Sequence, residues 1–293
     1  MSTPRFLKLP AGVRRTFVET SRGAFAALEA LPGSGVVERC PALLVPGFTG
    51  SKEDFIAVLE TLARAGRRVV AVDMRGQYES KGSPDDPAAY TRAALGEDIA
   101  ALAEALGPEP VHVVGHSFGG LVTREPVISG LLRPVSYTLM SSGPGALTGR
   151  AAANAKALRE AIPELGMARI WEVHLAPDMV ARSVPEEIVT FLKARALGSC
   201  PHGLVCMAGE LLSAPDRVDE LAKAAEDADV PILVLYGEDD DVWDPRVQAT
   251  MAERLGAARV VIPSAAHSPA VEAPETTASA LTAFWNQADR HIF

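Results

Sequence analysis

The chain has 293 residues, 48% of them hydrophobic, and a formal net charge of -9 at neutral pH. That length leaves room for one large α/β unit or a domain carrying an insertion. The acidic balance, with no run of Lys and Arg interleaved with aromatics, argues against nucleic acid as a partner.

Residues 14–19 and 24–28 read as short strands around the turn Ser21-Arg22-Gly23, so a hairpin is expected first. Short runs rich in Val, Ile and Leu then recur at 42–45, 68–72, 111–114, 135–140, 232–235 and 260–262. Most are continuously apolar, as strands buried on both faces are. Helix-like segments at 52–65, 88–106, 118–129 and 270–284 separate most of them, and strand alternating with helix implies a largely parallel sheet covered on both sides. Between 146 and 214 the alternation stops. Helical periodicity at 151–161, 165–174, 186–196 and 204–212, punctuated by Pro163, Pro177, Pro185 and Pro201, predicts a helical insertion rather than a loop. Residues 216–227 return the chain to the sheet. The domain expectation is a core of 1–145 and 215–293 with an insertion at 146–214.

No segment is long and apolar enough to cross a bilayer, and residues 1–16 hold no pattern of a secretory leader. Three cysteines, Cys40, Cys200 and Cys206, are an odd count and favour reduced thiols in a cytoplasmic compartment. Cys200, His202 and Cys206 match no zinc spacing, so neither a metal nor a cofactor is expected.

Chemistry concentrates at strand ends. Gly115-His116-Ser117-Phe118-Gly119 lies between an apolar strand and a helix, the setting of a G-x-S-x-G nucleophile elbow, which makes Ser117 the candidate nucleophile. His267 follows the strand at 260–262 through a short loop, with Ser268-Pro269 reading as a helix start, and is the candidate base. His112 falls inside a strand, His116 inside the elbow, His174 and His202 in the insertion, and His291 near the end. For the acid, Glu238, Asp239, Asp240, Asp241 and Asp244 crowd the end of the strand at 232–235, and the residues leave the choice open. Backbone N–H groups of Phe118 and of Phe48, in Pro46-Gly47-Phe48-Thr49-Gly50, fill the positions of an oxyanion hole.

These pieces, in this order, resemble the α/β-hydrolase superfamily, particularly its capped esterase and lipase-like members. The resemblance rests on Pro46-Gly47-Phe48, Asp73-Met74-Arg75-Gly76 with Ser80, Gly115 to Gly120, Gly237-Glu238-Asp239-Asp240, and His267-Ser268-Pro269 with Glu272-Ala273-Pro274-Glu275. It implies the α/β-hydrolase fold with a helical cap inserted before the last two strands. It also implies a Ser117, Asp240 and His267 triad, with Asp241 in reserve, acting on a small carboxylic ester or related acyl compound. Thioester, lactone and carbon-carbon bond hydrolysis or cofactor-free perhydrolysis use the same triad, and a non-catalytic ligand-binding homologue is the alternative from another class. Three departures stand out: Pro46 where relatives often have His, Tyr78 where many have Gly, and Pro126 inside the helix after the serine, where it should remove a hydrogen bond and kink the helix.

Overall fold

The structure, a computed structural model, describes residues 2–290; His291 lies outside them. Eight strands form one sheet: β1 (Val13–Thr20), β2 (Gly23–Ala30), β3 (Arg39–Val45), β4 (Arg67–Val72), β5 (His112–His116), β6 (Ser136–Met140), β7 (Ile232–Gly237) and β8 (Ala258–Ile262). Their spatial order is β1-β2-β4-β3-β5-β6-β7-β8. The first two form the expected hairpin, with Thr20 opposite Gly23, and pair antiparallel; every pair from β4 to β8 is parallel. Every residue of β5, β6 and β7 is buried, as the apolar runs require, whereas edge strand β8 buries Ile262 alone.

Helices α1 (Ile56–Arg64), α2 (Arg92–Ala105) and α3 (Phe118–Ile128) follow β3, β4 and β5. After β6 comes the helical segment: α4 (Gly149–Ile170), a π turn at Trp171–Leu175, α5 (Ala176–Ala181), α6 (Glu186–Gly198) and α7 (Pro201–Ser213). The chain then returns through α8 (Val218–Asp227), β7, α9 (Pro245–Arg254), β8, α10 (Pro269–Glu272) and α11 (Pro274–Asp289). One core cluster, containing Leu59, Leu62, Leu281 and the fully buried Trp285, covers one face of the sheet, and a second, containing Ile99, Leu102, Leu121 and Leu221, covers the other.

The elements differ from expectation in three instructive places. The long helix α4 breaks at Gly166, whose φ of 71° and ψ of 157° leave the helical region, rather than at Pro163. Residues 270–284 are two helices, because Ala273, which precedes Pro274, is driven out of the helical region to φ −139°. Helix α9 was not expected at all. Asp244 caps it by accepting the Arg246 N–H at 2.8 Å and Pro245 occupies its first turn, but its buried face opens with a polar residue, Gln248.

Pro126 does sit inside α3 without ending it. Its missing N–H frees the Val122 carbonyl, and Gly96 of α2 packs beside it: a Cβ on Gly96 would lie 3.2 Å from that oxygen and 2.8 Å from the Pro126 ring. The close packing of α2 against α3 at this point requires the glycine.

Candidate active site

The sharp turn at the end of β5 places Ser117 at φ 53° and ψ −118°, immediately before α3. Positive φ in a non-glycine residue stores strain on the order of 1–3 kcal/mol, held here by the packed strand and helix on either side. Its glycines are steric necessities. A Cβ on Gly119 would stand 2.5 Å from the Pro46 carbonyl oxygen, and one on Gly115 would stand 2.6 Å from the Gly119 carbonyl oxygen. The elbow therefore nests directly against the loop that follows β3.

His267, in the loop between β8 and α10, brings its Nε2 to 2.9 Å from Ser117 Oγ and its Nδ1 to 3.0 Å from Asp240 Oδ1. Asp240, after β7, is the acid that reaches the imidazole. Asp241 is turned outward, 59% exposed, and its partner is Arg150 at 3.5 Å. The Asp240 carboxylate also accepts the backbone N–H groups of Val242 at 3.0 Å and Trp243 at 3.1 Å, and the side-chain amide of Gln248 at 2.9 Å. Burial pushes this carboxyl up, but the hydrogen bond and charge of His267 together with the two backbone amides outweigh it, holding Asp240 below its ordinary value.

Several supporting residues carried no recognisable signal in the sequence. Gln248 was hidden in α9, and its amide also donates to the Trp243 carbonyl at 2.9 Å, fixing the acid loop from below. His116, inside the elbow, places its Nε2 2.7 Å from the His267 carbonyl oxygen, so this nitrogen carries the proton and donates it. Complete burial, with the neighbouring His267 adding to it, pushes His116 down to about 3, so it stays neutral and serves as a strut between the elbow and the histidine loop. Gln77, fully buried, donates to the carbonyls of Gly47 at 2.7 Å and Phe48 at 3.1 Å.

With its carbonyls held by Gln77, the Pro46–Gly50 loop keeps a fixed course beside the elbow, and a Cβ on Gly47 would lie 3.2 Å from Ser117 Cβ. Among the hydrogen bonds of the described residues none is donated by the Phe48 or Phe118 amide, which leaves both N–H groups available to a third party.

Ser117 and His267 open into a cavity of about 550 Å³. Gly47 and Phe48 form its floor beside them, and α4 contributes much of its roof through Ala151, Ala155, Leu158 and Ala161. Small alanine side chains on that helix keep the space open, and the roof offers few polar groups, Asn154 and His174 being the main ones. Within the described residues no group of three or more His, Cys, Asp or Glu could hold a metal ion, and no helix is long and apolar enough to cross a membrane. Cys206 Sγ lies 3.6 Å from His202 Nε2, while Cys200 backs onto Tyr90.

Residues 42–280 match the model of the alpha/beta hydrolase family. The chain belongs to that family. Solved structures similar to it include a thermophilic esterase from Thermogutta terrifontis, with a TM-score of 0.73 and 25% identity over 94% of this chain and 99% of that one. Another is a hydrolase from Pseudomonas aeruginosa PA01, with a TM-score of 0.71 and 27% identity over 94% and 99%. Among curated proteins, the sn-1-specific diacylglycerol lipase ABHD11 of Mus musculus is 26% identical over 255 residues, 83% of this chain and 80% of its own length.

The remaining motif of this alpha/beta hydrolase, Asp73 to Ser80, is a fastening rather than a reacting group. Asp73 accepts the backbone and side-chain nitrogens of Lys52 at 2.7 and 2.8 Å, and Ser80 Oγ donates to the Asp73 carbonyl at 2.8 Å. Tyr78 takes the glycine-favouring φ of 39° despite its side chain. Contacts with the helical segment compensate: its N–H donates to Ser199 Oγ at 3.1 Å, and its ring meets Phe191 edge-on at 5.7 Å.

Proposed function

We propose that this alpha/beta hydrolase is a serine hydrolase of carboxylic esters or closely related acyl compounds, with Ser117, His267 and Asp240 as its catalytic triad. The observation that carries the reading is the unbroken relay from Ser117 Oγ through both ring nitrogens of His267 to Asp240, opening onto a largely apolar cavity. The alternative activities on the same triad, thioester, lactone or carbon-carbon bond hydrolysis and perhydrolysis, need no rearrangement of these groups.

In this mechanism Ser117 Oγ attacks the acyl carbon while His267 Nε2 takes the hydroxyl proton, and Asp240 holds the ring and stabilises the imidazolium. The tetrahedral oxyanion accepts the N–H groups of Phe48 and Phe118; losing one such donor typically costs roughly 100- to 1000-fold in turnover. Collapse breaks the bond to the alcohol oxygen, which leaves with the proton from His267. Water then attacks the acyl-enzyme by the same route, giving the carboxylic acid and restoring Ser117.

We read residues 146–214 as a cap over this site. Its support is a separate apolar cluster of Ile162, Ile170, Trp171, Phe191 and Leu192, together with the roof that α4 supplies to the cavity. Met207 and Leu211 of α7 join the main core, which anchors the segment at its carboxyl end. A small acyl substrate and a cytoplasmic location, the latter supported by three unpaired cysteines, complete the proposal.

Ser117→Ala is expected to abolish both hydrolysis of chromogenic esters and labelling by fluorophosphonates while leaving the fold intact. Full activity in that variant would overturn the assignment. Tight binding of an acyl ligand without turnover in the wild type, unaffected by Ser117→Ala, would instead identify a non-catalytic binder.

A further inference from the structure

Residues 2–9, ahead of β1, run across both the sheet domain and the helical segment. Leu9 packs against the core cluster on the α11 side of the sheet, Leu7 against the cap cluster around Ile162 and Leu192, and Pro4 is buried. At the far end Ser2 forms part of the wall of the cavity that holds Ser117 and His267.

Polar contacts fix the segment to each part of the site. Ser2 Oγ lies 2.8 Å from Ser268 Oγ, in the residue after His267. The Arg5 guanidinium donates to the Glu272 carbonyl, and the Glu272 carboxylate accepts the Ala266 N–H at 2.6 Å, in the residue before His267. Arg195, on α6, donates through Nη2 to the Ser2 carbonyl at 2.7 Å and through Nη1 to Asp54 at 2.8 Å, with Ser51 Oγ at 3.4 Å. Asp54 and Ser51 directly follow the Phe48 loop. A guanidinium only 1% exposed is costly to desolvate, and the contacts it makes here join the cap, the oxyanion loop and the amino-terminal segment at one point.

We infer that residues 2–9 are a specificity strap: Ser2 closes the cavity wall and limits the length of apolar chain the site accepts, and Arg195 holds the strap in place. The inference rests on the hydrolase reading only where turnover is its readout; binding tests it separately. Filling or opening an apolar wall by the size of a methylene or more changes discrimination by about tenfold upward.

The test compares the wild type with a chain lacking residues 2–8 and with Ser2→Trp, on p-nitrophenyl esters from acetate to dodecanoate and on alkyl acetates of increasing alcohol length. A fluorescent dodecanoic acid analogue, whose binding needs no reactive serine, is titrated in parallel. Removing the strap should raise the long-to-short kcat/KM ratio in at least one series by about tenfold or more and tighten the fatty-acid analogue. Ser2→Trp should lower both. Should the shortened chain fail to fold, Ser2→Trp decides: long-to-short ratios and fatty-acid binding equal to the wild type overturn the strap. Absence of ester turnover in the wild type, with binding still shifted as stated, refutes the hydrolase reading and leaves the strap standing.

Discussion

Replacing Gln248 by Leu removes one hydrogen bond to the buried Asp240 carboxylate and one to the Trp243 carbonyl, each 2.9 Å long. A bond to a charged group contributes about 1.5–3 kcal/mol and a neutral one about 0.5–1.5 kcal/mol, so the substitution should cost about 2–4.5 kcal/mol at neutral pH. The charged part depends on pH in a definite direction. Because Asp240 is held below its ordinary value in the folded protein, its favourable interactions are fully present above the ordinary carboxylate range, near pH ~4, and are lost as pH falls through the depressed folded value. In Gln248→Leu the folded value moves back up toward the ordinary one. The gap between wild type and variant in urea unfolding should therefore be largest at neutral pH and shrink below pH ~4, where only the neutral bond still distinguishes them. Turnover should fall about tenfold with KM little changed, since roughly 1.4 kcal/mol of the lost restraint on Asp240 reaches the transition state. A destabilisation equal at neutral and acidic pH would refute the claim that Gln248 acts through the charged carboxylate.

Asp240→Asn should lower kcat by about 10,000-fold by disturbing the tautomer and orientation of His267, whereas Asp241→Asn, at an exposed carboxylate, should stay within about twofold; steady-state kinetics on one chromogenic ester measures both. Arg195→Met leaves Asp54 buried without its cation and should cost about 3–5 kcal/mol in urea unfolding at neutral pH. Burial already pushes Asp54 up, so the variant should recover part of that loss as pH falls and the carboxyl protonates.

Strands, their parallel arrangement and the candidate groups at their ends were legible in the chain because each has a local signature. Continuous apolar runs mark strands buried on both faces; the elbow glycines, the loop after β8 and the acidic loop after β7 mark strand ends where ligands are handled. Which carboxylate turns inward is not local. Asp240 and Asp241 differ by one position, and only the amides of Val242 and Trp243, the side chain of Gln248 and the ring of His267, gathered from β7, α9 and the β8 loop, select the first.

The sequence by itself therefore determined the fold class and marked Ser117, His267 and the acidic loop after β7 as candidates at strand ends, since strand periodicity and turn stereochemistry are properties of neighbours along the chain. Tertiary structure alone decided how those groups are held and what they face. Gln77, His116 and Arg195 look like ordinary polar residues until burial gives each a partner far away in sequence, and Ser2 reaches the cavity only because Arg195 and Ser268, some 190 and 270 residues away, are folded against it. The physical reason is that a buried polar group must find its partner wherever packing places one, and no local pattern along the chain encodes that address.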